Sequence, residues 1–404
     1  MVQRAGLLKG IRILDLTWLV AGPAGTLLLA MAGADVIRIE SRRSLDNFRR
    51  SFIQDNDPDK SYLFATINMG KRSVLADLKT PTGLKTVRRL AAASDVVVEN
   101  FSPGTAGRLG LGYEDLIALN PSLVVVSAST AGQAGPKSQY AGYAPNFAAL
   151  GGLASLTGYA NGLPAIYGRT LDGRIGVHIA LAVVIGLLRR ERHGVGGYYD
   201  VSDQETVASL IGDVLVEVDG FHRNQVRDGN TQAGIAGHGC YPCLGHDRWL
   251  MLELEGDQDW EKLCRAIDRE DLFQDPRFAD GYLRWQHRDI VDAAISAWTG
   301  SRDNKEGAWL LQAAGLRATA VADAADLYHD PALRERKMWQ VQEHPALGLL
   351  TVLGAPLHWP EALTSDEPLS PAPLLGQHTD EVLSTVLGLS ASEIEGLRQA
   401  GALA

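Results

Sequence analysis

The chain has 404 residues, 21% of them charged and 46% hydrophobic, and a formal net charge of −10. This length holds two domains with sizeable cores, and the balance is that of an ordinary globular protein, not a disordered or fibrous one. The acidic surplus argues against nucleic acid or an anionic membrane as the main partner, so an anionic ligand has to be held by local groups.

The predicted elements begin with Gly10 to Thr17, a short β-branched and apolar run. A Gly22-Pro23-Ala24-Gly25 turn, a helix-like Thr26 to Ala32 and a second strand-like run, Ala34 to Glu40, follow. This is a β-α-β unit. The alternation recurs with Ser73 to Leu78 as strand, Pro81 to Ala93 as helix, and Asp95 to Glu99 and Leu123 to Ser129 as strands. Continuous valine runs mark strands covered on both faces, so the expected first domain is a Rossmann-like, doubly wound parallel α/β sheet.

Asp172 stands at the head of a helix-like stretch, Gly173 to Leu188, which ends on the charged stop Arg189 to Gly194. Its local reading is a helix cap, ionised by the positive end of the helix dipole. An ionised carboxylate in an apolar wall is also a candidate nucleophile. Tyr198 to Val201 is then a short strand and Gln204 to Val218 an amphipathic helix.

The expected organisation is a large-domain part at 1–221, a linker at 222–239, a small α/β domain at 240–329 and a carboxy-terminal segment at 330–404 that returns to the large domain. Within the small domain the predicted elements are the strand Trp249 to Leu254 and helices near Trp260 to Ile267 and Ile290 to Trp298. The last segment is Pro-rich and closes on helices at Thr379 to Leu387 and Ala391 to Ala400, with a capping box at Ser390 and Glu393. No stretch reaches the about 18 apolar residues of a spanning helix. Three cysteines and no export signal fit a cytoplasmic protein without a disulfide framework.

Three motifs invite chemistry. Glu40 ends the second strand where a ribose-binding acid would sit, but Gly22-Pro23-Ala24-Gly25 lacks the Gly-x-Gly-x-x-Gly turn that pyrophosphate requires, which argues against a Rossmann dinucleotide site. His238, Cys240, Cys243 and His246 could offer four zinc ligands, yet all come from nine residues of one strand-like run, so packing is the expected role and no metal is assigned. Arg38, Arg42, Lys71, Arg72, Lys79 and Arg108 follow or flank strand ends, where together they could hold a polyanion such as a nucleotide diphosphate.

Several segments in this order resemble the family III CoA-transferases, the group with the formyl-CoA and carnitine CoA-transferases. They are Gly10 to Thr17 with Ala21-Gly22-Pro23, Gly33 to Glu40, Asn68 to Ser73, Glu99 to Gly104, Arg189 to Gly197 with Asp200-Val201-Ser202, and Leu375 to Val382. The resemblance implies a CoA-transferase that moves CoA reversibly between an acyl-CoA donor and a carboxylic acid, with Asp172 as nucleophile through anhydride and aspartyl-CoA thioester intermediates. It implies CoA near Val20, Ala21, Ala76 to Lys79, Asn100, Phe101 and Arg108, to which Arg38, Arg42 and Tyr143 are added as candidates. It implies an interlocked dimer, homomeric or with a homologous subunit, and CoA as substrate with no tightly bound cofactor.

The departures are Gly173-Arg174 after Asp172, Ala144 after Tyr143 where many members have an acid, and no Gly-rich loop at Glu255 to Asp259. Arg174 beside Asp172 hints at a dicarboxylate such as succinate. The alternatives are an α-methylacyl-CoA racemase, whose histidine would fall near Tyr143, and a catalytically degenerate scaffold subunit.

Overall fold

In the computed structural model, which describes residues 6–51, 53–165, 169–357 and 369–404, the valine and isoleucine runs become strands. In chain order the main elements are β1 (Arg12–Asp15), α1 (Ala21–Met31), β2 (Asp35–Glu40), β3 (Lys71–Leu75), α2 (Pro81–Ala92), β4 (Val96–Glu99), β5 (Val124–Ser129), α3 (Ala144–Leu150), α4 (Arg169–His193), β6 (Gly197–Ser202), α5 (Asp203–Ser209) and α6 (Gly212–Phe221). Then come β7 (Gly239–Pro242), β8 (Trp249–Glu253), α7 (Asp257–Ala266), α8 (Arg288–Thr299), α9 (Asn304–Ala313), β9 (Arg317–Ala320), β10 (Trp339–His344), β11 (Gly348–Leu353), α10 (Thr379–Leu387) and α11 (Ala391–Gln399).

Among the described residues, six strands form one sheet in the order β3-β2-β1-β4-β5-β6, with every neighbouring pair parallel. Successive side chains leave a strand on opposite faces, so each strand feeds two cores. Ile13, Val96, Val98 and Val124 pack with Leu29 of α1 and with Ile175, Ile179 and Val183 of α4. Leu14, Ile37, Val97 and Val125 pack with Val87 and Leu90 of α2 and with Val382 and Leu383 of α10. Helices cover both faces, as the valine runs predicted. The strand order reverses between β1 and β4, and ligands of open α/β sheets bind at such a switch point, beyond the carboxyl ends of the strands.

α4 differs from expectation in two ways. It begins at Arg169, so Asp172 lies inside its first turn and does not cap it from outside. From Thr170 to His193 it is also long and apolar enough to cross a membrane, with a mean hydropathy of 1.8 over an 18-residue window, which corrects the expectation that no such stretch exists. Ile175, Ile179 and Val183 recur every four residues and are fully buried against the sheet, as in a core helix. The predicted helix from Gln204 to Val218 is two helices, because Ile211 leaves helical geometry between α5 and α6.

The chain divides into two compact units. One comprises Met1–Ala154, Ile166–Asn224 and Leu333–Ala404. The other comprises Ser155–Ala165 and Gln225–Ala332 and holds the antiparallel sheet β7-β8-β9 with α7, α8 and α9. Residues 225–239, expected as linker, group with this second unit, and so does the excursion 155–165.

Within the first unit the carboxy-terminal segment docks on the β3 edge. Gly376 N donates to Ser73 Oγ (2.8 Å), His378 N to Ser73 O (2.9 Å) and Leu75 N to Thr379 Oγ1 (3.0 Å). The capping box at Ser390 and Glu393 forms as expected. The region read as Pro-rich contains the antiparallel hairpin β10-β11, turned at Gly348 with φ 71°. Residues 358–368 of that region lie outside those described.

Candidate active site

The carboxyl edge of the sheet rests on a buried network of charges. Asp15, at the end of β1, accepts from Thr17 N (2.9 Å), the Thr17 hydroxyl (2.5 Å), Thr26 Oγ1 (2.7 Å) and Lys71 Nζ (3.1 Å). Burial alone would raise the Asp15 carboxyl, but Lys71, Arg38 and the two hydroxyls outweigh it and hold it below the usual range. Burial, opposed by Asp15, pushes Lys71 down to about 8. Arg38 is 1% exposed and donates to Asp46 at 2.6 Å, with Asp15 at 3.7 Å and Glu40 at 3.9 Å.

This network positions the loop after β1. Asp46 also accepts from Leu19 N at 3.0 Å, and Leu19 itself sits at φ 65°, a conformation that a branched side chain adopts only when its surroundings impose it. Asn100, just past β4, closes the loop from the other side: its Oδ1 accepts from Trp18 N (2.8 Å) and its Nδ2 donates to Trp18 O (3.0 Å). The two strand ends that flank the switch point are thereby tied together.

The expected binding residues separate into two groups. Val20 and Ala21 are half-buried where α1 begins, Asn100 and Phe101 are half-buried beyond β4, and Glu99 fixes the latter loop by accepting from Phe101 N at 2.7 Å. Arg42, Lys79 and Arg108 are exposed after β2, β3 and β4. Ala76 is buried, and Tyr143 is 61% exposed at the head of α3. Arg38 and Lys71 leave the proposed polyanion grouping, because both point into the core and already face carboxylates. Arg72 is likewise engaged, with Asp35.

Asp172 is half-buried in the first turn of α4. One turn on, Gly176 packs against α1 so closely that a Cβ there would stand 2.9 Å from the Ala21 carbonyl oxygen and 2.9 Å from Gly25 N. The starts of α1 and α4 therefore lie side by side. Apart from its chain neighbours and the backbone of α4, no described atom lies within 4 Å of where a Cβ would stand at Gly173, which leaves open space next to Asp172.

Asp203 was not singled out by sequence. It opens α5 directly after β6, is 7% exposed, and its Oδ1 has no hydrogen-bond partner among the described residues. Burial first, then the charge of Asp172, pushes its carboxyl up to about 8. The available signal was its place at a strand-to-helix junction on the ligand-binding edge of the sheet.

In the second unit Cys243 is buried in the core around Tyr241, Leu250 and Trp260, and Cys240 is half-buried. Among the described residues no three His, Cys, Asp or Glu side chains group as metal ligands.

The family model for CoA-transferase family III matches residues 8–379. A probable CoA-transferase of Mycobacterium tuberculosis is 32% identical over 404 residues, covering 96% of this chain and 49% of that relative, so the chain spans about half its length. A formyl-CoA:oxalate CoA-transferase of Rhodopseudomonas palustris is 30% identical over 417 residues, covering 98% of this chain and 97% of the relative. The succinyl-CoA:glutarate CoA-transferase of Mus musculus is 29% identical over 397 residues, covering 98% and 90%. A crystal structure of a CAIB/BAIF family protein from Brucella suis superposes with a TM-score of 0.86 at 26% identity, covering 95% of this chain and 100% of that one. With a family match over nearly the whole sequence and the same α/β fold in solved relatives, this chain belongs to CoA-transferase family III.

Proposed function

We propose that the chain is an enzyme that moves CoA between an acyl-CoA and a carboxylic acid, with Asp172 as the covalent nucleophile. An Asp172 carboxylate oxygen attacks the acyl carbonyl, the C–S bond breaks, and CoA leaves as thiolate from an acyl-aspartyl anhydride. The thiolate attacks the Asp172 carbonyl and expels the donor acid as carboxylate, leaving an aspartyl-CoA thioester. The acceptor carboxylate repeats the two steps in reverse and restores Asp172. Covalent catalysis suits the exchange because it divides one difficult transfer into easier ones and keeps the activated acyl group from water.

The observation that carries this reading is the position of Asp172. The Gly176–Ala21 contact sets the start of α4 beside Val20 and Ala21 at the head of α1, where the resemblance expects CoA. The first turn of a helix favours the ionised carboxylate, and backbone N–H groups there are available to steady an oxyanion. Exposed Arg42, Lys79 and Arg108 are the remaining candidates for the CoA phosphates.

Relatives named for oxalate and glutarate support a dicarboxylate acceptor, with Arg174, exposed two residues beyond Asp172, as the partner of its second carboxylate. The exposed apolar face of α4, formed by Val177, Leu181, Val184, Ile185 and Leu188, supports assembly as the interlocked dimer expected of the family. A cytoplasmic location fits the acyl-CoA substrates.

Asp172→Asn is the decisive variant. Its transfer of CoA from an acyl-CoA panel to carboxylate acceptors is expected to fall by about 10⁴-fold or more. Mass spectrometry of the wild type quenched during turnover is expected to find CoA attached to Asp172. Transfer at the wild-type rate by Asp172→Asn overturns the assignment.

A further inference from the structure

The proposed reaction is anionic throughout: a carboxylate or a thiolate attacks at each step, another leaves, and no proton is taken up or released. A second negative charge next to Asp172 would oppose every step. A second carboxyl, Asp203, nevertheless lies near enough for the charge of Asp172 to bear on it. Asp203 is more than nine-tenths buried, and one of its oxygens is without a partner among the described residues. The first turn of α5, which carries it, is held by Gln204 N donating to Thr130 O (2.9 Å) and by Glu205 N donating to Ser202 Oγ (3.3 Å). α5 is packed with α3 and α4 through Val207, which shares one core cluster with Ala144, Phe147 and Ala148 of α3 and with Leu171 and Ile175 of α4. Leu171 and Ile175 bracket Asp172 on the same helix.

We propose that Asp203 is the second carboxyl of the active site and, kept neutral, donates a hydrogen bond to the oxygen that bears negative charge at Asp172 during CoA transfer. This rests on the CoA-transfer reading above. A buried acid with a purely structural role has its oxygens satisfied by the fold, because an unmatched one is costly; here the missing partner is supplied by the reacting oxygen. The donor is preorganised in an apolar wall, where a hydrogen bond to a developing oxyanion gains most. With its carboxyl held up at about 8, Asp203 keeps its proton at neutral pH. The proton is shared with the oxyanion and stays on Asp203, so the charge balance of the cycle is unchanged.

The titratable side chains described on the elements around Asp203 are Asp172, Arg174, His178 and the charged end Arg189 to His193 of α4, Tyr198, Tyr199 and Asp200 of β6, Tyr143 at the head of α3, and Glu205 on its own helix. Among the described side chains, Asp172 is the one whose charge bears on it.

Two measurements test this. In resting enzyme labelled with ¹³C at the aspartate carboxyls, a resonance absent from Asp203→Asn is expected to titrate near pH 8, and to move to lower pH in Asp172→Asn. In turnover, Asp203→Asn keeps an N–H donor and is expected to stay within about tenfold of wild-type kcat while losing the fall in rate above pH 8. Asp203→Leu, folded by circular dichroism, is expected to lose about 10²-fold or more in kcat with little change in KM for acyl-CoA. Lys71, also held at about 8, is common to all variants, so disappearance of the alkaline fall in Asp203→Asn assigns it. Titration in the ordinary carboxyl range, equal losses in the Asn and Leu variants, or wild-type kcat in Asp203→Leu each overturns the proposal. The expected resonance in a protein that transfers no CoA overturns the functional reading, and the donor role with it.

Discussion

At the scale of single residues, the Asp172–Asp203 pair links stability to pH. Unfolded, Asp203 titrates near the ordinary carboxylate value of about 4; folded, its value is about 8, raised by burial and by Asp172. The fold is therefore favoured most below the unfolded value, and that advantage is lost as pH rises from about 4 to about 8. Asp203→Asn cannot ionise, so its Tm relative to wild type is expected to be higher at pH 8 than at pH 5. A Tm difference that stays constant across that range would sink the linkage. Lys71 makes the complementary case, because its ammonium and the Asp15 carboxylate are both fully buried. Lys71→Met leaves the Asp15 carboxylate its hydrogen bonds from Thr17 and Thr26 but, as a paired cation, Arg38 at 3.7 Å, and chemical denaturation is expected to report a loss of about 3–5 kcal/mol.

At the scale of elements, the contact between α1 and α4 sets where the site forms. A Cβ at Gly25 would lie 2.7 Å from the Gly176 carbonyl oxygen, backbone that cannot turn aside as a side chain can. Gly25→Ala gains helix propensity of about 1 kcal/mol yet is expected to lose about 1–2 kcal/mol net in the denaturant midpoint, because overpacking costs more. A more stable Gly25→Ala protein would show that the two helices can move apart freely. Gly22 to Gly25, expected as a turn, lie within α1, and their glycines serve close packing of that helix and not a pyrophosphate. Gly22 acts alike, for a Cβ there would meet the Thr17 side chain at 2.3 Å.

At the scale of the whole molecule, the chain returns at its end to complete its first unit. Val382, Leu383, Ile394 and Leu403 are buried in the same cluster as Leu14, Ile37 and Val97 of the central strands. Asp77 N, in the loop after β3, donates to Ala402 O at 2.8 Å. Removal of residues 379–404 is expected to expose this cluster and abolish cooperative thermal unfolding of the first unit. A truncated chain that melts like the intact one would show the segment to be dispensable.

What could be read in advance followed from local physics. Valine runs such as Val96 to Val98 identified buried parallel strands, and the spacing of Ser390 and Glu393 identified a helix start, because burial on two faces and capping both leave short-range patterns. The order of motifs identified the family, and the proposal for Asp172 rests on the same order. Other features were closed to the sequence. Arg38 and Arg42 look alike as basic residues near the carboxyl end of the second strand, yet Arg38 lies within β2, buried among three carboxylates, and Arg42 beyond it is exposed, a difference set by how the loops carrying Asp15 and Asp46 fold over the strand end. The helix start at Arg169 and the break at Ile211 were misplaced because apolar periodicity does not register where packing ends a helix. Sequence by itself determined the strands of the central sheet, the doubly wound plan and the family, since these rest on periodicity and motif order. Only the tertiary structure decided that Asp172 has a buried carboxyl for a neighbour, because a pKa is set by desolvation and nearby charge, and both arise when α4 and α5 pack together.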